Sequence, residues 1–230
     1  MKIVSWNCNG AFRRKYHLLE RFDADILVIQ ECENPITCKD QVYTSWACNY
    51  FWHGERDHKG IGVFAKQHIS IAQNDWLDEN LKYFLSVNVE GKFNLINSWC
   101  HSADSPTFGY IGQFWKYLQI NKSRMENSLI IGDFNSNKIW DVWDRWWNHS
   151  DVVRELDEIG IRSIYHEVFR ERQGNESTPT FFLQRNLAKS YHVDYAFASK
   201  ILVPLCKQFA IGKPEEWLLY SDHMPISLKL

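Results

Sequence analysis

Long hydrophobic runs are missing from this chain of 230 residues. Although 45% of the residues are hydrophobic, no stretch approaches the roughly 18 apolar residues needed to span a membrane. Residues 2–6 form a strand-like run, without the charged and then apolar segments that a signal peptide shows. We therefore expect a cytoplasmic protein that does not enter a membrane.

Cysteine patterns that bind zinc or form a disulfide framework are missing as well. The six cysteines include no CxxC pair, and none stands at a spacing from histidine that is typical of a zinc site. Reduced thiols, as in the cytoplasm, are the expectation.

The sequence also lacks a strong excess of charge of either sign. The formal net charge is −2 and the sequence pI is about 6.5, so the basic surface of an obligate duplex-DNA binder is not indicated. A metal site collects carboxylates in one place, so a nuclease can be neutral overall and still present a local basic rim. Aromatic residues reach 15%, with 11 Trp, which suits either a thick core or surfaces for base stacking.

The chain also has no linker, low-complexity tract or repeat, and one α/β domain over residues 1–230 is the simplest prediction. Short apolar runs bounded by polar residues predict strands. These runs are Ile3 to Trp6, Ile26 to Ile29, Ile61 to Phe64, Phe84 to Val89, Phe93 to Trp99, Leu129 to Ile131 and Val193 to Ala198.

Helices are predicted between these strands. They cover Tyr16 to Phe22, Phe108 to Gln119, and a segment that Asp151 caps and that runs through Ile159. The residues Trp140, Trp143 and Trp147 have helical spacing, and with Trp146 they form a cluster that favours a core position over a base-stacking surface.

Four groups of acidic or amide residues share one placement, at or just beyond the end of a strand. They are Trp6-Asn7, Gln30-Glu31, Gly132-Asp133-Phe134-Asn135 and Ser221-Asp222-His223. Taken singly, each group is also explained as a turn, a cap or a solvated strand end. Taken together, they predict hard oxygen ligands that converge on one edge of a sheet, which suits Mg²⁺, Mn²⁺ or Ca²⁺ better than zinc.

These motifs resemble the endonuclease/exonuclease/phosphatase superfamily, and the resemblance spans essentially the whole chain. The matching elements are Ser5-Trp6-Asn7-Cys8-Asn9-Gly10, Ile29-Gln30-Glu31, Gly60-Ile61-Gly62-Val63-Phe64, Gly132-Asp133-Phe134-Asn135-Ser136, His192-Val193-Asp194-Tyr195-Ala196-Phe197 and Ser221-Asp222-His223-Met224-Pro225. The resemblance implies an α/β (α+β) fold in four layers, α/β/β/α, in which two mixed β-sheets pack face to face.

The resemblance and the chemistry of the side chains suggest roles around a Mg²⁺ ion, for which Mn²⁺ may substitute. Glu31 is the expected chief metal ligand, with Asn7 and Asp222 beside it. Asn7 also places an amide near a phosphate oxygen. Asp133 is the candidate that orients or deprotonates the attacking water, and Asn135 holds Asp133 and a phosphate oxygen.

Asp194 and His223 are expected to form a pair. In the family the equivalent Asp hydrogen-bonds the equivalent His, which faces the scissile phosphate. The element Cys100-His101-Ser102-Ala103 resembles the His-Ser-Ala element of pancreatic deoxyribonuclease, where the His helps to protonate the leaving oxygen. Other members have Tyr in this region, so the protonating group is left open, and Arg185 is a candidate phosphate contact.

The leading functional hypothesis is a Mg²⁺-dependent nuclease that acts on DNA by in-line attack of a metal-assisted water. The compact chain leaves no room for a further lipid- or inositol-recognition domain. A phosphatase or phosphodiesterase of a small-molecule or lipid phosphate is the alternative within the enzymes, and a binding module without catalysis is the alternative outside them. Nucleic acid is the expected partner, and no obligate protein partner is evident.

Overall fold

Strands dominate the computed structural model, which describes residues 1–102 and 105–230. In chain order the strands are β1 (Lys2–Asn7), β2 (Ile26–Cys32), β3 (Tyr50–Arg56), β4 (Lys59–Ala65), β5 (Ile71–Gln73), β6 (Phe84–Val89), β7 (Phe93–Trp99), β8 (Ser128–Asp133), β9 (Ile161–Ser163), β10 (Phe181–Phe182), β11 (Ser190–Tyr191), β12 (Asp194–Ser199), β13 (Gln208–Ile211) and β14 (Ile226–Lys229). The seven predicted strands are confirmed, and β6 and β7 have the predicted bounds.

The described residues also form short α-helices and 3₁₀ helices. The α-helices are α1 (Gln41–Trp46), α2 (Ile111–Asn121), α3 (His149–Glu158), α4 (Ile164–Phe169) and α5 (Pro214–Trp217). The 3₁₀ helices are Phe12–Arg14, Tyr16–Phe22, Lys122–Arg124, Lys138–Trp140, Leu183–Arg185 and Val203–Leu205. None of these helices combines the length and apolar character that crossing a membrane requires.

Two helix predictions need correction at their start. Helix α3 begins two residues before Asp151, because Asn148 is the cap and Asp151 accepts the backbone N–H of Asn148 at 3.0 Å, which completes a capping box. Helix α2 begins three residues after Phe108, since the preceding residues form a turn in which the Ser105 hydroxyl accepts the N–H of Phe108.

The prediction of a tryptophan stripe in the core is wrong for three of its four members. Residues 141–147 are not helical, so helical spacing does not place these rings on one face. Trp147 is buried, but Trp140, Trp143 and Trp146 are exposed by 45%, 96% and 62%.

Twelve of the strands form two mixed six-stranded sheets. The first sheet has the order β13-β14-β1-β2-β4-β3 and the second has the order β5-β6-β7-β8-β12-β9. Each sheet contains one parallel pair, β1 with β2 and β7 with β8, and the other pairings are antiparallel. The small strands β10 and β11 form a separate hairpin.

The buried side chains form three layers of apolar contacts, which define a four-layer sandwich. The central cluster joins the facing sides of the two sheets, for example Val28 and Val63 with Leu95 and Leu129. A second cluster packs α2 and α3 on the outer face of the second sheet. A third packs the 3₁₀ segment Tyr16–Phe22 and α1 on the outer face of the first sheet. The predicted fold class is confirmed.

Candidate active site

The site lies where the parallel pairs of both sheets end. Asn7 is opposite Gln30 in the first sheet, and Trp99 is opposite Asp133 in the second. Because the carboxyl ends of parallel strands share one edge, four strand ends deliver polar side chains to the same place. Strand β12 runs antiparallel to β8, so its first residue, Asp194, is the register partner of Asp133.

Asp133 is fully buried and surrounded by N–H donors. Its Oδ2 accepts the side-chain amides of Asn7 at 2.9 Å and Asn135 at 2.8 Å, and its Oδ1 accepts the backbone N–H of Asn135 at 2.8 Å. The preceding residue has to be glycine, since Gly132 has φ +149° and a Cβ there would overlap the carbonyl oxygen of Ser98. These contacts fix the carboxylate before any ligand arrives.

His223 lies between two carboxylates. Its Nδ1 is 3.0 Å from Oδ2 and 3.1 Å from Oδ1 of Asp194, and its Nε2 is 3.9 Å from Oδ2 of Asp133. Asp194 is held in turn, because its backbone N–H donates to the Thr180 hydroxyl at 3.0 Å. The ring is therefore oriented by Asp194, while its other nitrogen points toward Asp133 without a direct hydrogen bond.

Burial and the neighbouring charges have opposing effects on the pKa of His223. Burial by itself lowers the pKa of His223, but Asp194 and Asp133 outweigh burial and raise that pKa well above the ordinary value for histidine. Burial raises the pKa of Asp133, and the charge of His223 and the Asn7 amide oppose that rise. The raised pKa of His223 favours the cationic imidazole at neutral pH, next to the carboxyl group of Asp133.

Glu31 lies in a less enclosed part of the site. It occupies a β-bulge between the pairs formed by Gln30 and Cys32, with its side chain 16% exposed. The ammonium of Lys59 is 2.9 Å from Oε2, and the Asn7 amide is 3.4 Å from Oε1. The carboxylate thus faces solvent on one side and a cation on the other.

Asp222 is connected to Asn7 through Asn9. The side-chain amide of Asn9 donates to Oδ1 of Asp222 at 3.0 Å, and its backbone N–H donates to the Asn7 side-chain oxygen at 3.0 Å. The structure thereby brings together seven of the predicted site residues through direct or one-residue contacts. They are Asn7, Glu31, Asp133, Asn135, Asp194, Asp222 and His223.

Two of these residues adopt a backbone conformation that side chains other than glycine rarely take. Glu31 has φ +63° and Asn135 has φ +46°. A residue in this region costs on the order of 1–3 kcal/mol, and such strain is concentrated at functional sites. At Glu31 the bulge turns the carboxylate out of the alternating pattern of β2 toward the edge of the sheet.

The side chains fit a hard divalent cation at Glu31, Asn7 and Asp222. Their donors are carboxylate and amide oxygens, and Glu31 is partly exposed and neutralised by a single lysine, so a cation can replace that lysine. The buried group of Asp133, Asp194 and His223 also has ligand atoms within 4.8 Å of one another. Its atoms are already paired by hydrogen bonds, so the open carboxylates suit an ion better.

Two predicted residues lie farther from this network. His101 follows β7 and packs edge-on against the rings of Trp99 and Tyr83, at 5.1 and 5.6 Å. Asn135 ties this segment to Asp133, because its amide also donates to the Cys100 carbonyl at 3.1 Å. Ala103, the last residue of the predicted His-Ser-Ala element, lies outside the described residues. Arg185 is exposed and donates to the Leu219 carbonyl at 3.3 Å.

The sequence did not point to Lys59, which pairs with Glu31 and lies 5.2 Å from the Trp99 ring. The contact follows from strand pairing, since Lys59 begins β4 and Gly60 is opposite Cys32, the residue after Glu31. Thr180 and Phe181, at the start of the β10–β11 hairpin, also contact the site. Thr180 supports Asp194, and the Phe181 ring packs 4.6 Å from the ring of His223.

Comparison with solved structures shows the same fold over the full chain. The chain is similar to a 3'-5' exonuclease, NExo, from Neisseria meningitidis, with 20% identity, a TM-score of 0.72, and coverage of 100% of this chain and 99% of that one. It is also similar to an AP endonuclease from Archaeoglobus fulgidus, with 21% identity, a TM-score of 0.70, and coverage of 99% and 98%. Among curated proteins no relative matches.

The family model described as "Endonuclease/Exonuclease/phosphatase family" matches residues 4–223. That range includes every residue of the site, from Asn7 to His223. The chain therefore belongs to the Endonuclease/Exonuclease/phosphatase family of phosphoester hydrolases.

Proposed function

We propose that this chain is a nuclease that hydrolyses phosphodiester bonds of DNA with the help of Mg²⁺. The observation that carries the proposal is the position of His223, a buried imidazole held by Asp194 and directed toward Asp133. A fixed positive charge beside a fixed carboxylate suits a reaction in which a water attacks phosphorus and negative charge grows on the phosphate oxygens.

DNA is the substrate class that the similar structures favour. One is titled as a 3'-5' exonuclease, one as a 3' phosphatase bound to a product DNA hairpin, and one as an AP endonuclease. Each of these matches covers nearly the whole of this chain.

Asp133 acts on the water. Three N–H donors hold its carboxylate, so no reorganisation is needed when the water arrives. As the water oxygen bonds to phosphorus, Asp133 accepts the water's proton. Hydrogen bonds from Asn7 and Asn135 oppose the rise in the pKa of Asp133 that burial causes, and so favour the ionised form that accepts this proton.

His223 acts on the phosphate. Its Nδ1–H is committed to Asp194, whereas Nε2 is 3.9 Å from Asp133, beyond hydrogen-bond distance. Nε2–H is therefore available to a non-bridging phosphate oxygen, where a charged donor stabilises the transition state. His101, at the same edge of the sheet, is the candidate that gives a proton to the leaving oxygen.

Glu31, Asn7 and Asp222 would hold the metal ion. When bound, Mg²⁺ would neutralise charge on the phosphate and on the leaving oxygen. The protein's part is to supply these oxygen ligands on a rigid strand edge and to let Lys59 neutralise Glu31 until the ion replaces it.

The test is an assay of purified protein on a labelled DNA oligonucleotide and on supercoiled plasmid, beside a generic phosphodiester substrate. Each substrate is incubated with Mg²⁺, with Mn²⁺ and with excess chelator. His68→Ala is a matched control for His223→Ala, because His68 is exposed in the loop after β4, at the sheet edge opposite the site.

We expect cleavage of DNA with Mg²⁺ or Mn²⁺, no cleavage with chelator, and loss of cleavage in His223→Ala but not in His68→Ala. Full activity in excess chelator would contradict the metal requirement. Hydrolysis of the small substrate without any cleavage of DNA would favour a small-molecule phosphodiesterase, and inactivity on every substrate would favour a binding module.

A further inference from the structure

The segment that precedes α3 carries three exposed tryptophans. Trp143 is 96% exposed, Trp146 is 62% exposed and Trp140 is 45% exposed. Large aromatic rings in water forfeit the stabilisation that burial provides, and several of them exposed on one short segment indicate a binding surface. None of the steps described for hydrolysis uses these rings.

The loop that carries the tryptophans is held in shape by its own hydrogen bonds. The Asn148 side chain donates to the carbonyls of Val142 and Arg145 at 2.8 and 3.0 Å, and it accepts the N–H of Val142 at 2.9 Å. Trp147 anchors the end of the loop by packing 4.4 Å from Phe108. The exposed rings are thus presented by a braced loop.

A continuous series of ring contacts connects this loop to the site. Trp140 packs 5.1 Å from Tyr191, Tyr191 faces Phe181 at 6.4 Å across the β10–β11 hairpin, and Phe181 packs 4.6 Å from His223. The aromatic surface therefore begins at the imidazole that faces the phosphate and leads outward to Trp140.

Exposed cations precede both Trp140 and Tyr191 in the chain. Lys138 and Arg172 line one depression next to Trp140, and neither forms an ion pair with any residue in the described parts of the chain. Lys189, which precedes β11, is exposed as well. Exposed aromatic faces interleaved with unpaired cations are the surface that single-stranded nucleic acid requires, because bases stack on rings and phosphates meet cations.

We infer that Trp140 and Trp143 form a stacking platform for unpaired bases of the strand whose phosphate enters the site at His223. This inference rests on the proposed nuclease function and narrows its substrate to strands with unpaired bases near the cleavage point. In a duplex the faces of interior bases are already stacked on their neighbours, so only unpaired nucleotides can offer a face to both rings.

The experiment measures binding without turnover. Fluorescence anisotropy in the presence of EDTA gives the Kd for a labelled oligothymidylate, for an abasic strand of the same length and charge, and for a blunt duplex. The proteins are the wild type, Trp140→Ala, Trp143→Ala, the double variant and Trp143→Phe. Ile201→Ala is the control, because Ile201 is 52% exposed just after the end of β12 that lies away from the site.

We expect each Trp→Ala variant to raise the Kd for oligothymidylate by about 10-fold, since one base–aromatic stack contributes roughly that factor. Trp143→Phe should retain most of the affinity, and Ile201→Ala all of it. The wild type should prefer the thymidylate strand over the abasic strand, and the double variant should lose most of that preference. Duplex binding should change by less than 3-fold, about 0.6 kcal/mol.

Unchanged Kd values in the Trp variants, or equal losses on the duplex and on the abasic strand, would overturn the platform. Binding of the wild type to anionic lipid vesicles that Trp143→Ala abolishes, with unchanged oligonucleotide binding, would assign the rings to a membrane surface and overturn it too. A different result would show that the proposed nuclease function is wrong while the platform is right. That result is a Trp-dependent preference for bases in EDTA, together with no hydrolysis of any phosphodiester in Mg²⁺.

Discussion

The two halves of the site differ in how the protein prepares them. Asp133, Asp194 and His223 form a buried group that is almost completely enclosed, in which Asp194 hydrogen-bonds His223 at 3.0 Å and Asn7 and Asn135 hold Asp133. Glu31 and Asp222 form an open group, partly exposed and held by the side chains of Lys59 and Asn9.

This difference indicates which parts of the reaction are preorganised. In the buried group, burial and mutual charge fix protonation and geometry before substrate binds, which is how preorganised charge stabilises a transition state at little cost during the reaction. The open group keeps its carboxylates near water and a replaceable cation, as an exchangeable metal requires. Substitutions in the buried group should therefore lower the rate of the chemical step, and substitutions in the open group should change the metal concentration that the reaction requires.

Asp133→Asn should have the largest effect. An amide cannot accept the water's proton, so the rate should fall by about 10³-fold while the fold is preserved. The rate is measured at saturating Mg²⁺, and a thermal melt of the same sample shows whether the fold is preserved. Asp23→Asn, at an exposed residue that precedes β2, is the control. Near wild-type rates with an unchanged melting temperature would remove Asp133 from the mechanism.

Glu31→Gln should act on the metal dependence. The variant keeps the shape of the side chain and removes the charge, so the Mg²⁺ concentration for half-maximal rate should rise by at least about 10-fold. A Mg²⁺ titration of the rate is the measurement, and Glu90→Gln in the turn between β6 and β7 is the control. If the rate fell with no change in the Mg²⁺ midpoint, Glu31 would belong with the buried group.

His149 is a second buried histidine, and its pKa shifts in the opposite direction from that of His223, which lies between two carboxylates. The ring of His149 contacts the hydroxyl of Ser136 at 3.3 Å and the side-chain oxygen of Gln173 at 3.1 Å, and burial lowers its pKa to about 4. Because the folded-state pKa lies below the ordinary value of about 6.5, protonation favours unfolding. The stabilisation is complete above pH 6.5 and is lost as the pH falls toward 4.

Denaturant unfolding at pH 7.5 and pH 5 should show this loss. The difference in the free energy of unfolding between wild type and His149→Gln should shrink by about 2 kcal/mol at the lower pH. His68→Gln, measured in the same way, is the control for replacing an exposed histidine. A pH-independent difference for His149→Gln would mean that the buried ring does not have a depressed pKa.

Lys59→Met should have the smallest effect. It removes the ammonium that competes with a metal ion for Glu31, so the Mg²⁺ midpoint should fall, by about 5-fold at most because a partly exposed ion pair contributes about 0–1 kcal/mol. Lys66→Met, whose ammonium pairs with Asp23 at 2.6 Å away from the site, is the control. An unchanged or higher midpoint would exclude competition by Lys59.

The sequence predicted the parts of the molecule that local patterns determine. Alternating and continuous apolar runs predicted β6 and β7 with their observed bounds, and polar residues at strand ends indicated the edge where Asp133 and Asn7 meet. Within each sheet the carboxyl ends of the parallel pair lie at one edge, and the packing of the two sheets brings these edges together.

The remainder depends on contacts between distant segments. No local pattern shows that Lys59 faces Glu31, because that contact follows from the pairing of β2 with β4 and from the bulge at Glu31. The tryptophan spacing was misleading because Asn148 fixes residues 142–145 in a loop, where helical periodicity has no meaning.

The measurement that tests the account most directly is a four-member cycle of His223→Ala and Asp194→Asn. Single-turnover rates on a labelled DNA oligonucleotide are measured at saturating Mg²⁺ for the wild type, both single variants and the double variant. We expect His223→Ala to cost on the order of 10²-fold or more. Asp194→Asn should cost less, because the imidazole remains but is worse oriented and less readily charged. The double variant should be little slower than His223→Ala alone, because residues that act as a unit have effects that do not add. Losses that add in the logarithm of the rate would show that the two residues act independently, and the paired imidazole and carboxylate would then have to be abandoned.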